Sequence, residues 1–230
     1  ILQDDVLLID HNLESKVQML YQWRGPRLGF VSFRLGANLS RDAASSASDA
    51  PFVNLVENAY GHGIANASVL LPGQFACRTI CIKSPICLPF KLVRDLGPLE
   101  DKLAPYMHDD TEYSLRSKQA GYENGVFGLK FISDVEWGST RIPGKNKELG
   151  QLSRRNMNHI RSWHRQSLEQ ICEVQQPTTV VEVPDMSSKE ESRVAFQVWK
   201  ENVDKLNNYQ GGRLNGVMKI KSFLKGMLKK

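Results

Sequence analysis

Strand-like runs alternating with helical stretches predict an α/β fold, a mixed sheet flanked by helices, over residues 1–175, followed by a linker and a helical tail over 176–230. Three observations carry this expectation. The runs ILQDDVLLI, LGFVSFR and GVFGLKFI have the length and composition of strands. Between the first two, apolar residues recur at helical spacing. From Gln176 onward, turn residues and then lysine-rich amphipathic sequence replace that alternation. With 230 residues, 41% of them hydrophobic and 24% charged, the chain is long enough to bury a core.

Taken in order, ILQDDVLLI is the first expected strand, with Asp4 and Asp5 in its interior. Leu13, Val17, Leu20 and Tyr21 mark a helix whose apolar face returns to the sheet. LGFVSFR is a second strand, and the small polar stretch Ala43 to Ala50 reads as a surface loop. ASVLL and the run from Phe75 to Ile82 supply two more strands. Asp110 or its neighbour caps a helix that carries Leu115 and Ala120 and closes at Gly121, after which GVFGLKFI returns as a strand. QQPTT and VPDMSS read as linker, outside the core. Beyond Ser188, Ala195, Trp199, Val203 and Leu206 form the apolar stripe of a helix that ends at Gly211-Gly212. In the last segment Val217, Ile220, Phe223, Leu224, Met227 and Leu228 share one helical face, with Lys219, Lys221, Lys225, Lys229 and Lys230 on the remainder. That pattern suits a helix lying in an anionic membrane interface, and equally a helix docked on protein with its lysines in water.

Composition narrows the function classes. No apolar run approaches the roughly 18–20 residues of a membrane-spanning helix. The formal charge of +5 and pI of about 9.0 fit acidic partners such as nucleotide phosphates or anionic lipid. Basic residues are not interleaved with aromatics, which argues against nucleic acid. The four cysteines, Cys77, Cys81, Cys87 and Cys172, include no CxxC pair, which argues against structural zinc and leaves disulfides and free thiols both open. Asn38 and Asn66 open N-glycosylation sequons, relevant only in a secretory compartment. The chain opens at Ile1 inside an apolar run, so its natural start is expected upstream and its targeting is unread.

Two acidic clusters bear on chemistry. Asp109, Asp110 and Glu112 open the expected helix, where acids in a first turn are ordinary stabilising features worth about 1 kcal/mol. Asp4 and Asp5 are different. Two adjacent carboxylates inside an apolar run place at least one charge near a buried face, which calls for a cation or hydrogen bonds in compensation.

ILQDDVLLI, a helix and then LGFVSFR together resemble a segment of GT-A glycosyltransferases, family 2 and exostosin-like enzymes among them. There an aspartate-rich DXD motif ends a strand, a helix follows, and a strand of the form GF-x-x-R comes next. HDDTEYSLRSKQAGYENGVF resembles the later family segment: an ED pair, a further acid, a helix with Leu-Arg and an AGY turn into a strand. LLPGQFACR lies between the two, where the family has its acceptor-side strand. The resemblance covers roughly Ile1 to Trp163.

The resemblance implies a GT-A-like sheet without the N-terminal nucleotide-binding half. It also implies metal-assisted transfer of a sugar from a UDP- or GDP-sugar to a hydroxyl of a glycan or glycoprotein. Mn²⁺ or Mg²⁺ would be held by Asp5 with Asp4 beside it, although Gln3 stands where the family often has its first aspartate. Asp110 matches the residue that takes the acceptor proton in an inverting reaction, or stabilises the oxocarbenium-like centre in a retaining one. Asp109 and Glu112 would support it, and Arg116 would fix a carboxylate or the fold. Trp137, Gly138 and Ser139 fall on the acceptor side, Trp137 as a sugar-stacking face or as simple packing. His164 is either an added metal ligand or an ordinary histidine of a polar helix. An anchor upstream would favour the Golgi or ER lumen. Two other classes stay open: a glycosyltransferase-derived structural or interaction subunit without activity, and a carbohydrate-binding module, against which the Asp4–Asp5 pair argues.

Overall fold

A computed structural model describes residues 1, 6–44, 52–82, 84–133, 146–173, 179–186 and 188–207 of the chain. After the short strand β1 (Val6–Leu8), helix α1 (Leu13–Arg24) lays Leu13, Val17, Leu20 and Tyr21 against one core cluster, the four positions at which helical spacing predicted an inward face. Strand β2 (Leu28–Ser32) follows, buried along its whole length. Next come β3 (Leu35–Leu39), a 3-10 turn at Arg41–Ala44, β4 (Phe52–Asn58), β5 (Ser68–Leu70), β6 (Gln74–Cys77), β7 (Ile80–Ile82) and β8 (Ile86–Cys87). Helices α2 (Phe90–Leu96) and α3 (Asp109–Gln119) precede β9 (Glu123–Phe127) and β10 (Phe131–Ser133). The long helix α4 (Asn146–Glu173), β11 (Val180–Glu182) and helix α5 over residues 189–207 complete the described elements.

The class is α/β with mixed pairing, as the alternation predicted, but the described strands divide among three sheets. The largest has the order β11-β6-β9-β2-β8, the second β5-β4-β3-β7, and β1 pairs with β10 as a ribbon. Only the β2–β9 and β4–β5 pairs are parallel among the described strands. Helix α1 covers the five-stranded sheet through Leu20, Leu28, Val31, Phe75 and Phe127. On the other side, Leu115 of α3 and Met157, Ile160 and Leu168 of α4 close a second cluster with Leu39 and Ile80.

Several expectations need correction. The Phe75 to Ile82 run is two strands in two sheets, because the chain crosses between them at Arg78, whose buried guanidinium donates through Nε to Asn54 O of β4 (2.9 Å). GVFGLKFI is likewise two strands. At Gly128 an added Cβ would lie 2.1 Å from Leu71 O, so the 71–73 turn crosses there and interrupts the run. Ala43, read as the start of a surface loop, is fully buried against Leu39 and Ile160. Asn38 sits buried in β3 and its side-chain oxygen accepts from Thr79 N, so its sequon is closed in the folded chain, whereas Asn66 is exposed in a turn. All four cysteines are free thiols.

The stretch expected as linker contains β11, which pairs antiparallel with β6, and Val183 and Met186, which enter the core under α1. Helix α5 is packed down as well. Ala195 is fully buried beside Ala59, Tyr60 and Phe131, and Asn202 Nδ2 donates to Gly61 O at 2.8 Å. Gly63 (φ 77°) admits the helix backbone at that point, since an added Cβ would lie 2.3 Å from Val203 N. Residues 208–230, with the lysine-rich face, lie outside the described residues. Among the described residues no helix is long and apolar enough to cross a membrane.

Candidate functional site

Helix α3, DDTEYSLRSKQ, is strongly polar, yet Thr111, Glu112, Tyr113, Ser114, Leu115 and Ser117 are buried. Tyr113 and Leu115 enter core clusters, and the remaining buried positions, which are polar, are held by hydrogen bonds. Ser114 Oγ donates to Asp110 O (2.7 Å) and accepts from Cys81 N of β7 (3.0 Å). Ser117 Oγ donates to Asn124 Oδ1 (2.6 Å), while Asn124 Nδ2 donates to Ser114 O (2.8 Å) and Thr79 O (3.0 Å). The same Asn124 Oδ1 accepts from Phe30 N of β2 (3.3 Å). Each neutral bond adds about 1 kcal/mol, and a satisfied buried network fixes position more sharply than packing alone. The three acids of the first turn and Arg116 and Lys118 of the last complement the helix dipole.

The helix opens at His108, which is left-handed (φ 65°) like Met107 before it (φ 84°), and His108 makes no side-chain cap bond. Two successive non-glycine residues in that region mark a strained reversal of the chain. Its product is the placement of Asp109 and Asp110, both half-buried, in the first turn. Asp110 Oδ1 accepts from Thr111 N (2.7 Å), so the carboxylate serves one of the unpaired amides of that turn. Around this end, His108 Nε2 meets Ser153 Oγ of α4 at 2.8 Å, and the His108 ring tilts toward Phe52 with 6.2 Å between centroids.

Glu112 faces inward. It is 2% exposed, and Arg116 Nε donates to both of its oxygens (2.8 and 2.9 Å). Arg116 also donates to Leu96 O (2.7 Å) and Pro98 O (2.9 Å), tying α3 to the end of α2. His164 Nε2 approaches Glu112 Oε1 at 3.1 Å, while its Nδ1 meets Gln119 Nε2 at 2.8 Å. With the Gln119 amide nitrogen as donor, the ring accepts at Nδ1 and donates from Nε2 to Glu112. The ring enters at a kink, where His164 itself leaves helical geometry (φ −119°, ψ 21°). Burial alone would push the Glu112 carboxyl up, but the bonds from His164 and Arg116 and the Arg116 charge hold it below the ordinary glutamate value.

Of the sequence-predicted residues, Asp109, Asp110 and Glu112 share the first turn of α3, and His164 of α4 meets Glu112 among them. Asp109 and Asp110 present carboxylates at the helix start, whereas Glu112 is occupied by Arg116 and His164 and acts on the position of α3. Arg116, expected to fix a carboxylate or the fold, bonds both the Glu112 carboxylate and the carbonyls of Leu96 and Pro98. His164 has both ring nitrogens engaged, so a metal there would have to displace Glu112 or Gln119. Asp4, Asp5, Trp137, Gly138 and Ser139 lie outside the described residues. Among the described residues no group of three or more His, Cys, Asp or Glu side chains could hold a metal ion. Sequence reasoning missed Ser153 and Asn156 of α4, which hold the loop before α3, because polar residues on a polar helix break no pattern. Comparison of the chain with models of known families, with curated proteins and with solved structures finds no match.

Proposed function

We propose that the chain carries the catalytic and acceptor side of a nucleotide-sugar-dependent glycosyltransferase of GT-A type. The observation that carries the reading is the start of α3, where Asp109 and Asp110 stand in the first turn of a polar helix fixed by Asn124, Ser114, Ser117 and the Arg116–Glu112–His164 chain. Transfer with inversion needs a carboxylate within hydrogen-bond reach of the acceptor hydroxyl, held still while that oxygen attacks the anomeric carbon. Asp110 takes that role: it accepts the hydroxyl proton as the new C–O bond forms and the bond to the diphosphate breaks, releasing the nucleoside diphosphate. Asp109 orients the hydroxyl from the neighbouring position. Glu112 touches neither reactant and acts through α3.

A divalent ion of the Mn²⁺ or Mg²⁺ kind suits hard carboxylate donors, and Asp5 and Asp4 are the residues of this chain proposed to hold it, without His164. Bound there, it would neutralise charge on the leaving diphosphate. The test is a hydrolysis screen of the purified chain across UDP- and GDP-sugars with Mn²⁺. Release of free nucleoside diphosphate from one donor supports the reading. No release and no binding with any donor would leave a glycosyltransferase-derived interaction subunit as the better account.

A further inference from the structure

The loop that leads into α3 is gripped by one turn of α4. Asn156 is fully buried, and its Nδ2 lies within bonding distance of three carbonyl oxygens, Leu103 (2.9 Å), Tyr106 (3.1 Å) and Met107 (2.8 Å). An amide group has two hydrogens, so all its donor capacity is spent on this loop. Its Oδ1 is fixed in turn, accepting from Arg155 Nε at 2.9 Å, and Arg155 Nη2 reaches Ala104 O at 2.7 Å. Ser153 bonds the His108 ring from the same helical turn.

Three side chains of α4 thus engage residues 103, 104, 106, 107 and 108, the residues that end in the left-handed pair Met107 and His108. A side chain with a Cβ leaves that conformation unless the surroundings hold it there. The Met107 carbonyl, at the centre of the reversal, is one of the three that Asn156 holds. Asp109 follows the reversal at once, and a carboxylate misplaced by about 1 Å loses on the order of 100-fold in rate.

We propose that Asn156, seconded by Arg155 and Ser153, is the positioning residue of the site: it holds Met107 and His108 left-handed and so sets where Asp109 and Asp110 present their carboxylates. The catalytic consequence rests on the proposed transfer reaction, whereas the clasp itself stands on the loop geometry.

The experiment compares wild type, Asn156→Ala and the milder Arg155→Ala and Ser153→Ala by amide hydrogen exchange and by steady-state donor hydrolysis with Mn²⁺. In Asn156→Ala, amides of residues 106–110 are expected to exchange at least about 10-fold faster while α1 and β2 keep their protection. Turnover is expected to fall about 10- to 100-fold with the donor KM within about twofold, and the two milder variants to move the same way by less. Unchanged exchange at 106–110 would overturn the clasp. So would a loss of protection throughout the chain that tracks the loss of turnover, and if Asn156→Ala does not fold, the milder pair decides by the same criteria. Should wild type hydrolyse no donor, the glycosyltransferase reading falls and exchange alone decides the clasp.

Discussion

Replacing Glu112 with glutamine separates charge from shape at the pivot of α3. Glutamine keeps the volume, so no cavity forms, but its amide nitrogen faces the Arg116 Nε–H donor in either orientation, because that Nε bonds both carboxylate oxygens. Glu112 is 2% exposed and accepts at 2.8 and 2.9 Å from Arg116 and at 3.1 Å from His164. A hydrogen bond to a charged group contributes about 1.5–3 kcal/mol, and breaking a buried pair costs about 3–5 kcal/mol. The Arg116 side chain is 21% exposed and keeps Leu96 O and Pro98 O as partners, which places the expected loss at the low end, about 3 kcal/mol. Urea unfolding followed by circular dichroism at pH 7 measures it. His164→Ala made in both backgrounds completes a cycle whose coupling should be about 0.5–3 kcal/mol. A loss under about 1 kcal/mol, or full additivity with His164→Ala, would refute the picture of Glu112 as a buried anchor.

Other consequences follow from the same geometry. Gly63→Ala combines a left-handed backbone (φ 77°) with a Cβ 2.3 Å from Val203 N, and should destabilise by about 2–5 kcal/mol and expose residues 188–207 to limited proteolysis; an unchanged cleavage pattern would contradict the docking of α5. Because the Glu112 pKa is depressed on folding, its contribution is fully present above the unfolded value of about 4.3 and is lost as pH falls through the lower folded value. The stability gap between wild type and Glu112→Gln should therefore shrink as urea titrations move from neutral to acid pH, and a gap independent of pH would argue against a charge effect. Asp5→Ala should greatly weaken Mn²⁺ and nucleotide binding in calorimetric titration while the fold persists; equal affinities would remove Asp5 from the proposed ligand set.

Helix α1, strand β2 and helix α3 were legible because each obeys a local rule. The i, i+4, i+7, i+8 spacing of Leu13, Val17, Leu20 and Tyr21 is a helix face, and acids at one end with Gly121 past the other bound α3. Strands β3 and β4 were not legible. Asn38 and Asn54 interrupt their apolar pattern, Asn54 is left-handed (φ 51°), and the register between the strands shifts at Gly36 to Asn38. The tail was misjudged for a similar reason, since Val180 to Glu182 is too short to read as a strand apart from the β6 edge it pairs with. At the site, the acidic residue types were visible in the sequence but their directions were not. Glu112 and Asp110 sit two positions apart on one helix, yet only contacts with Arg116 and His164, four and 52 residues away, show which of them is taken inward.

The claim at the centre of this account is that Asp110 acts on the acceptor hydroxyl rather than holding the helix. Asp110→Asn tests it most directly, because an asparagine Oδ1 still accepts from Thr111 N, now at 2.7 Å, and the helix start is preserved. Transfer to acceptor by the variant should fall about 10²- to 10⁴-fold against wild type, with donor affinity and unfolding midpoint unchanged. Transfer at the wild-type rate, or a loss matched by weaker donor binding or a lowered midpoint, would contradict it.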